Sequence, residues 1–147
     1  MPRKYVAVCG ASEATASQLA AAREVGRLLA EAGAVVINGG MSGVSGAASE
    51  GAALAGGTVV GILPGTDRDG VNPHLTISLP TGMGQARNVL IVTAAESVIA
   101  IGVGWGTLSE IAVARRLGRP VVALDSWSVK GLETVSTPSA AVKRALS

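Results

Sequence analysis

Three stretches of this 147-residue sequence combine uncovered backbone with side-chain donors: Gly10-Ala11-Ser12, Gly39-Gly40-Met41-Ser42-Gly43 and Gly102-Val103-Gly104-Trp105-Gly106-Thr107. Glycine leaves N–H groups bare and permits positive φ, and a neighbouring hydroxyl adds a donor, so such stretches can cradle phosphate oxygens. Arg87, followed by Asn88, brings a planar guanidinium that can make two parallel bonds to a phosphate or carboxylate, with the Asn amide as a neutral donor beside it. Glu110 follows Thr107 by three residues. That spacing is also a capping box, in which both side chains satisfy backbone donors at a helix start. Ser12, Ser42 and Thr107 have the same double character, as helix caps or as phosphate donors.

These residues act together only if the elements between them bring the turns to one place. Strand-like runs at 4–9, 34–38, 58–63, 75–79, 97–101 and 121–124 alternate with helix-like runs from end to end, with a weaker strand at 133–136. Thr15 and Gln18 form a capping box, Leu19, Ala22, Gly26 and Leu29 recur at helical spacing, and Gly33 stands where a left-handed cap belongs. Further helices are predicted over 44–55, 83–95 and 108–117, and from Thr137-Pro138 onward; the second is rich enough in Ala, Gly and Ser to approach a neighbour closely. The alternation predicts an α/β fold over residues 1–147 as one domain: a three-layer, Rossmann-like fold with a mainly parallel sheet and helices on both faces. In such a sheet ligands lie beyond the carboxyl ends of the strands, and each of the three turns leaves a strand and enters a helix, whose dipole favours anions. An anion is therefore expected between the turns at 39–43 and 104–107.

Several function classes are excluded or disfavoured. No G-x-G-x-x-G follows the first strand, Asn38 stands where a ribose-binding acid would be, and no G-x-x-x-x-G-K-[ST] occurs. Cys9 and His74 are the single residues of their types and share no metal-binding spacing, so no metal site is expected. Cys9 reads as an inert buried hydrophobe and His74 as a polar loop residue. The net charge of +2 is scattered, with Arg115, Arg116 and Arg119 complementing a helix end, and two Trp, one Tyr and no Phe supply no platform for nucleic acid. Apolar runs are too short to cross a bilayer, and Met1-Pro2-Arg3-Lys4 leads straight into a strand, so a cytoplasmic protein without membrane partners is expected.

The motifs Gly39-Gly40-Met41-Ser42-Gly43-Val44, Met83-Gly84-Gln85-Ala86-Arg87-Asn88 and Gly104-Trp105-Gly106-Thr107-Leu108-Ser109-Glu110 resemble, in order and spacing, those of the "Lonely Guy" (LOG) superfamily, once labelled lysine decarboxylase-like. The R-N and G-W-G-T-L-S-E forms look most like the branch containing molybdenum cofactor carrier proteins. That resemblance implies binding of a phosphorylated nucleotide-like or pterin-like molecule, with no cofactor required and molybdenum cofactor as a carried ligand. The hydrolase branch, which cleaves cytokinin riboside 5′-monophosphates, implies an alternative in which Arg87 and Glu110 are catalytic. Against that branch Asn88 replaces a lysine, Gly102 a proline and Val103 a glycine; valine disfavours positive φ, so a differently shaped loop is expected.

The resemblance also implies a homodimer or homotetramer. The run from Met83 to Ala95 offers more apolar positions than one core-facing stripe needs. Arg87 on that run is expected to be exposed, anchoring ligand more than fold. Trp105 is open to two readings, a cover over a ligand ring or a plug in a subunit contact.

Overall fold

The computed structural model describes residues 3–147; Met1 and Pro2, on which the reading of the N-terminus partly rests, lie outside the described residues. The order is β1 (Tyr5–Gly10), α1 (Ala16–Glu31), β2 (Val35–Asn38), α2 (Gly43–Leu54), β3 (Thr58–Leu63), β4 (Ile77–Pro80), a 3-10 turn (Gly84–Arg87), α3 (Asn88–Ala94), β5 (Ser97–Gly102), α4 (Trp105–Arg116), β6 (Val121–Ser126), β7 (Glu133–Val135) and α5 (Pro138–Ala145). All seven strands form one sheet, β4-β3-β2-β1-β5-β6-β7. Each pairing in it is parallel. No helix among the described residues is long and apolar enough to cross a membrane.

The chain steps outward from β1 to β4, returns, and steps outward again from β5 on the other side of β1. Strand order therefore reverses between β1 and β5, which opens a crevice beyond their carboxyl ends. Right-handed crossovers in opposite directions put the helices on opposite faces. Val6 and Val8 of β1, with Ile99 and Ile101 of β5, pack beneath α1, α2 and α5. The alternate residues Ala7, Cys9, Val98 and Ala100 pack beneath α3 and α4. Strands buried on both faces explain the unbroken apolar runs, and their two-residue period turns Cys9 toward α4.

Local chemistry sets the helix ends. Thr15 Oγ1 accepts from Gln18 N at 3.1 Å, while Thr15 N donates to Gln18 Oε1 at 3.0 Å, completing the expected box. Gly26 of α1 and Gly51 of α2 face each other's neighbour so closely that a Cβ on either would run into backbone carbonyl. This is the close approach that the small residues of α2 allow. Several boundaries differ from the sequence reading, and three bear on the site. β4 starts at Ile77, because Leu75 instead lays its side chain over Gly40 and Gly61. The predicted helix over 83–95 opens as the 3-10 turn and runs directly into a short α3; Gly84, at φ 57°, keeps Met83 out of the right-handed stretch. α4 begins at Trp105, three residues before Leu108, with Gly104 as its cap.

Candidate functional site

The turns converge on a cavity of about 500 Å³ beyond the ends of β1, β2 and β5. The first turn contributes Gly10 and Ser12, the second Gly39, Met41 and Ser42, and the third Gly104, Trp105, Gly106 and Thr107; Arg87, Asn88 and Glu110 complete the predicted set. Gly40 and Gly43 do not line it. At φ 73° and 69° they shape the second turn, packed against Leu63 and against the Ala11–Ser12 backbone respectively. The sequence reading missed Gln85, Ser45 and Ser109 on the wall.

The earlier start of α4 changes the roles of Thr107 and Glu110. With Gly104 as cap, Thr107 lies inside the first turn and no side chain caps the helix, so the capping-box reading is overturned. The N–H groups of Trp105, Gly106 and Thr107 precede the first intrahelical bond, Leu108 N to Gly104 O at 3.0 Å, and have no acceptor within the helix. Thr107 Oγ1 is buried without a hydrogen-bond partner. Gly104 and Gly106 are not demanded by fold: neither has positive φ, and a Cβ on either would meet nothing nearer than 3.7 Å. What their bareness provides is room above the α4 donors. Ser42 likewise makes no cap bond to α2, and α1 is capped by Thr15, so neither hydroxyl of Ser12 or Ser42, both on the cavity wall, is spent on capping.

Glu110 is 7% exposed, with the Cys9 thiol donating to its carboxylate. Burial pushes its pKa up to about 7, against smaller opposing effects from the Cys9 hydrogen bond and the Arg87 charge. Burial foremost, and then the Glu110 charge, raises the Cys9 thiol well above its usual value. Cys9 is thus a buried small residue, as expected, but it also lies against the carboxylate, a contact its sequence position could not show.

Arg87 is only 8% exposed, which corrects the expectation of a solvated side chain. Its Nε donates to Ile62 O at 2.9 Å, Nη2 to Gly39 O at 3.4 Å, and Nη1 to Asn88 Oδ1 at 2.7 Å and Gln85 Oε1 at 3.3 Å. Most of the guanidinium fork is therefore spent on the ends of β2 and β3 and on α3, and the cavity receives its charge more than its donors. Burial holds its pKa below the ordinary arginine value. Asn88, with Oδ1 occupied by Arg87, has its Nδ2 3.7 Å from where a Cβ on Gly106 would stand, placing a neutral donor beside the α4 start.

Two asparagines brace the second turn. Asn38 Oδ1 accepts from Gly40 N at 2.8 Å and its Nδ2 donates to Ser49 Oγ at 2.9 Å. Asn72 donates through its backbone to Gly40 O at 2.9 Å and through Nδ2 to Met41 O at 3.3 Å. In the third turn the left-handed position falls on Gly102, at φ 77°, and not on Val103, whose side chain is exposed. Valine thus meets no strain there. At the rim Trp105 stands beside Trp127, ring centroids 5.4 Å apart, and Trp127 Nε1 donates to Gly104 O at 2.9 Å.

Known proteins are similar to this chain in sequence and fold. A protein of Archaeoglobus fulgidus, of uncharacterised function, is 42% identical over 148 residues, spanning 100% of this chain and 97% of that one. The molybdenum cofactor binding protein of the phototrophic bacterium Rippkaea orientalis superposes with a TM-score of 0.92 at 33% identity, over 97% of this chain and 95% of its own. The molybdenum cofactor carrier protein of Chlamydomonas reinhardtii does so with a TM-score of 0.89 at 30% identity, over 99% of both chains. The LOG-like resemblance of the glycine motifs holds across the whole fold, and the SLOG cluster4 family model matches residues 3–146: the chain belongs to that family.

Proposed function

We propose that this protein binds a phosphorylated, pterin-like or nucleotide-like small molecule and carries it unchanged, with molybdenum cofactor as the candidate ligand. One observation carries the reading: the buried, unpartnered Thr107 hydroxyl and the free N–H groups of the α4 start share one cavity with the Arg87 charge. An anion there gains backbone donors, a helix dipole and a neutralising cation together. A phosphate-bearing pterin matches this donor set, and the cavity falls in the range of about 300–1,000 Å³ that small-molecule sites occupy. The likeness to molybdenum cofactor binding and carrier proteins supports the choice of ligand.

Hydrolysis of a nucleoside 5′-monophosphate is the second reading, favoured by Glu110, whose carboxyl is free of capping and half-protonated near neutral pH. That reading needs Arg87 as the catalytic partner, whereas most of the Arg87 fork is occupied by Ile62 O, Gly39 O, Asn88 Oδ1 and Gln85 Oε1, and Asn88 stands where the hydrolase branch has a lysine. Carriage is accordingly the better-supported function. Incubation with adenosine and other nucleoside 5′-monophosphates distinguishes them: no free base accumulates if the protein is a carrier. Base release abolished by Glu110→Gln would establish the hydrolase instead.

A further inference from the structure

The chain has two Trp, one Tyr and no Phe, yet one tryptophan, Trp105, lines the cavity described above and the other, Trp127, packs against it from behind. Trp105 is 79% exposed, a large apolar surface left in water. It is not loosely placed. Its backbone opens α4 beside the anion donors, its ring leans on Trp127 at an interplanar angle of 37°, and Trp127 is pinned by its indole bond to the α4 cap, Gly104 O. A second support comes from Ser126 Oγ, which donates to Gly102 O at 2.6 Å and ties the β6 end to the same turn. The rim therefore carries an exposed indole, braced by Trp127, on the same turn as the N–H groups that open α4.

We infer that Trp105, positioned by Trp127, is a stacking platform selecting ligands in which a flat heteroaromatic ring is joined to the phosphate. This rests on the proposed anion site and ligand and adds the residue that selects the ring: the α4 donors take the phosphate, and the indole takes the ring. An aliphatic phosphate fills half of the site. Stacking on an aromatic side chain is indifferent to which ring is presented, so purine and pterin both qualify.

The test compares ribose 5-phosphate, which has no ring, with adenosine 5′-monophosphate and a phosphorylated 6-substituted pterin, by calorimetry and tryptophan fluorescence. At least one ring-bearing probe is expected to bind on the order of tenfold more tightly than ribose 5-phosphate and to quench the indole emission. In Trp105→Ala that preference should collapse to near unity, and Trp127→Leu, which loses the bond to Gly104, should reduce it partway. Equal affinities in the wild type overturn the platform while leaving the anion site standing. A preserved preference in Trp105→Ala, accompanied by a fall in oligomeric mass, also overturns it and assigns Trp105 to a contact with a second copy. Binding of none of the three probes overturns both proposals.

Discussion

Glu110 and Arg87 line one cavity, and replacing each has a different predicted consequence. For Glu110 the folded-state pKa of about 7 lies above the ordinary 4.5, so the folded protein holds this proton more tightly than the unfolded chain. Its contribution is therefore fully present below pH ~4.5, falls as pH rises toward about 7, and is flat above, a change on the order of 3 kcal/mol. Urea unfolding between pH 5 and 8 should show this slope in the wild type and its loss in Glu110→Gln; parallel profiles would refute the assignment. Sulfate, whose charge is fixed in this range, should also bind more tightly at pH 6 than at pH 8, because a neutral Glu110 does not repel it, and the Gln variant should lose that dependence. Arg87→Ala leaves the carbonyls of Ile62 and Gly39 without their donor, and about 3 kcal/mol of stability should go with it by chemical denaturation. Unchanged stability would show that these bonds contribute nothing. The residue types at both positions were legible in the sequence. Their burial was not, because it depends on the ends of β2 and β3 closing over Arg87 and on Cys9 facing α4.

At the scale of the element, α4 shows where local signals mislead. Thr107 and Glu110 have the spacing of a capping box, and that pattern placed the helix start three residues late; the helix begins instead on a bare Gly104, and the cap that the pattern promised is absent. A helix start left uncapped beside a cavity is the feature that marks the site, and single-residue propensity works against seeing it. The 3-10 opening of α3 was hidden for a similar reason, since the apolar spacing of 83–95 does not register that the backbone is left-handed at Gly84 and tightly wound up to Arg87. By contrast α1, with both halves of its box, and β3, with an isolated apolar run, were read to within a residue. The α4 start makes a prediction that separates fold from function. Gly106→Ala adds a Cβ at ordinary contact distance on a helix, where alanine is the better residue, so melting temperature should hold or rise. The methyl group covers the donors, and phosphate affinity should fall at least tenfold, by about 1.4 kcal/mol or more. Gly10→Ala is the control, since its Cβ would collide with Val44 and with the β5 backbone, and it should lower the melting temperature sharply.

For the whole molecule, alternation of strands and helices sufficed to foresee three layers and the edge at which the turns meet, since parallel strands put every strand-to-helix turn at one end. Sheet order was not legible, because the return from β4 to β5 depends on contacts between distant parts of the chain. The same scale holds the proposal of a homodimer or homotetramer. With Ile91 and Val92 turned to the core, α3 and the turn before it still expose Met83, Val89 and Leu90, an apolar face seeking cover. Light scattering at micromolar concentration should give at least twice the 14.5 kDa of one chain, and Leu90→Glu should return it toward that value. A wild-type mass of one chain would refute the assembly.

The central claim, a phosphate cradle at the α4 start, is tested most directly by a crystal structure determined in phosphate. The account predicts the anion within hydrogen-bonding distance of the Gly106 and Thr107 N–H groups and of Thr107 Oγ1. An anion bound instead at Arg115, Arg116 and Arg119, with this cavity holding only water, would contradict it.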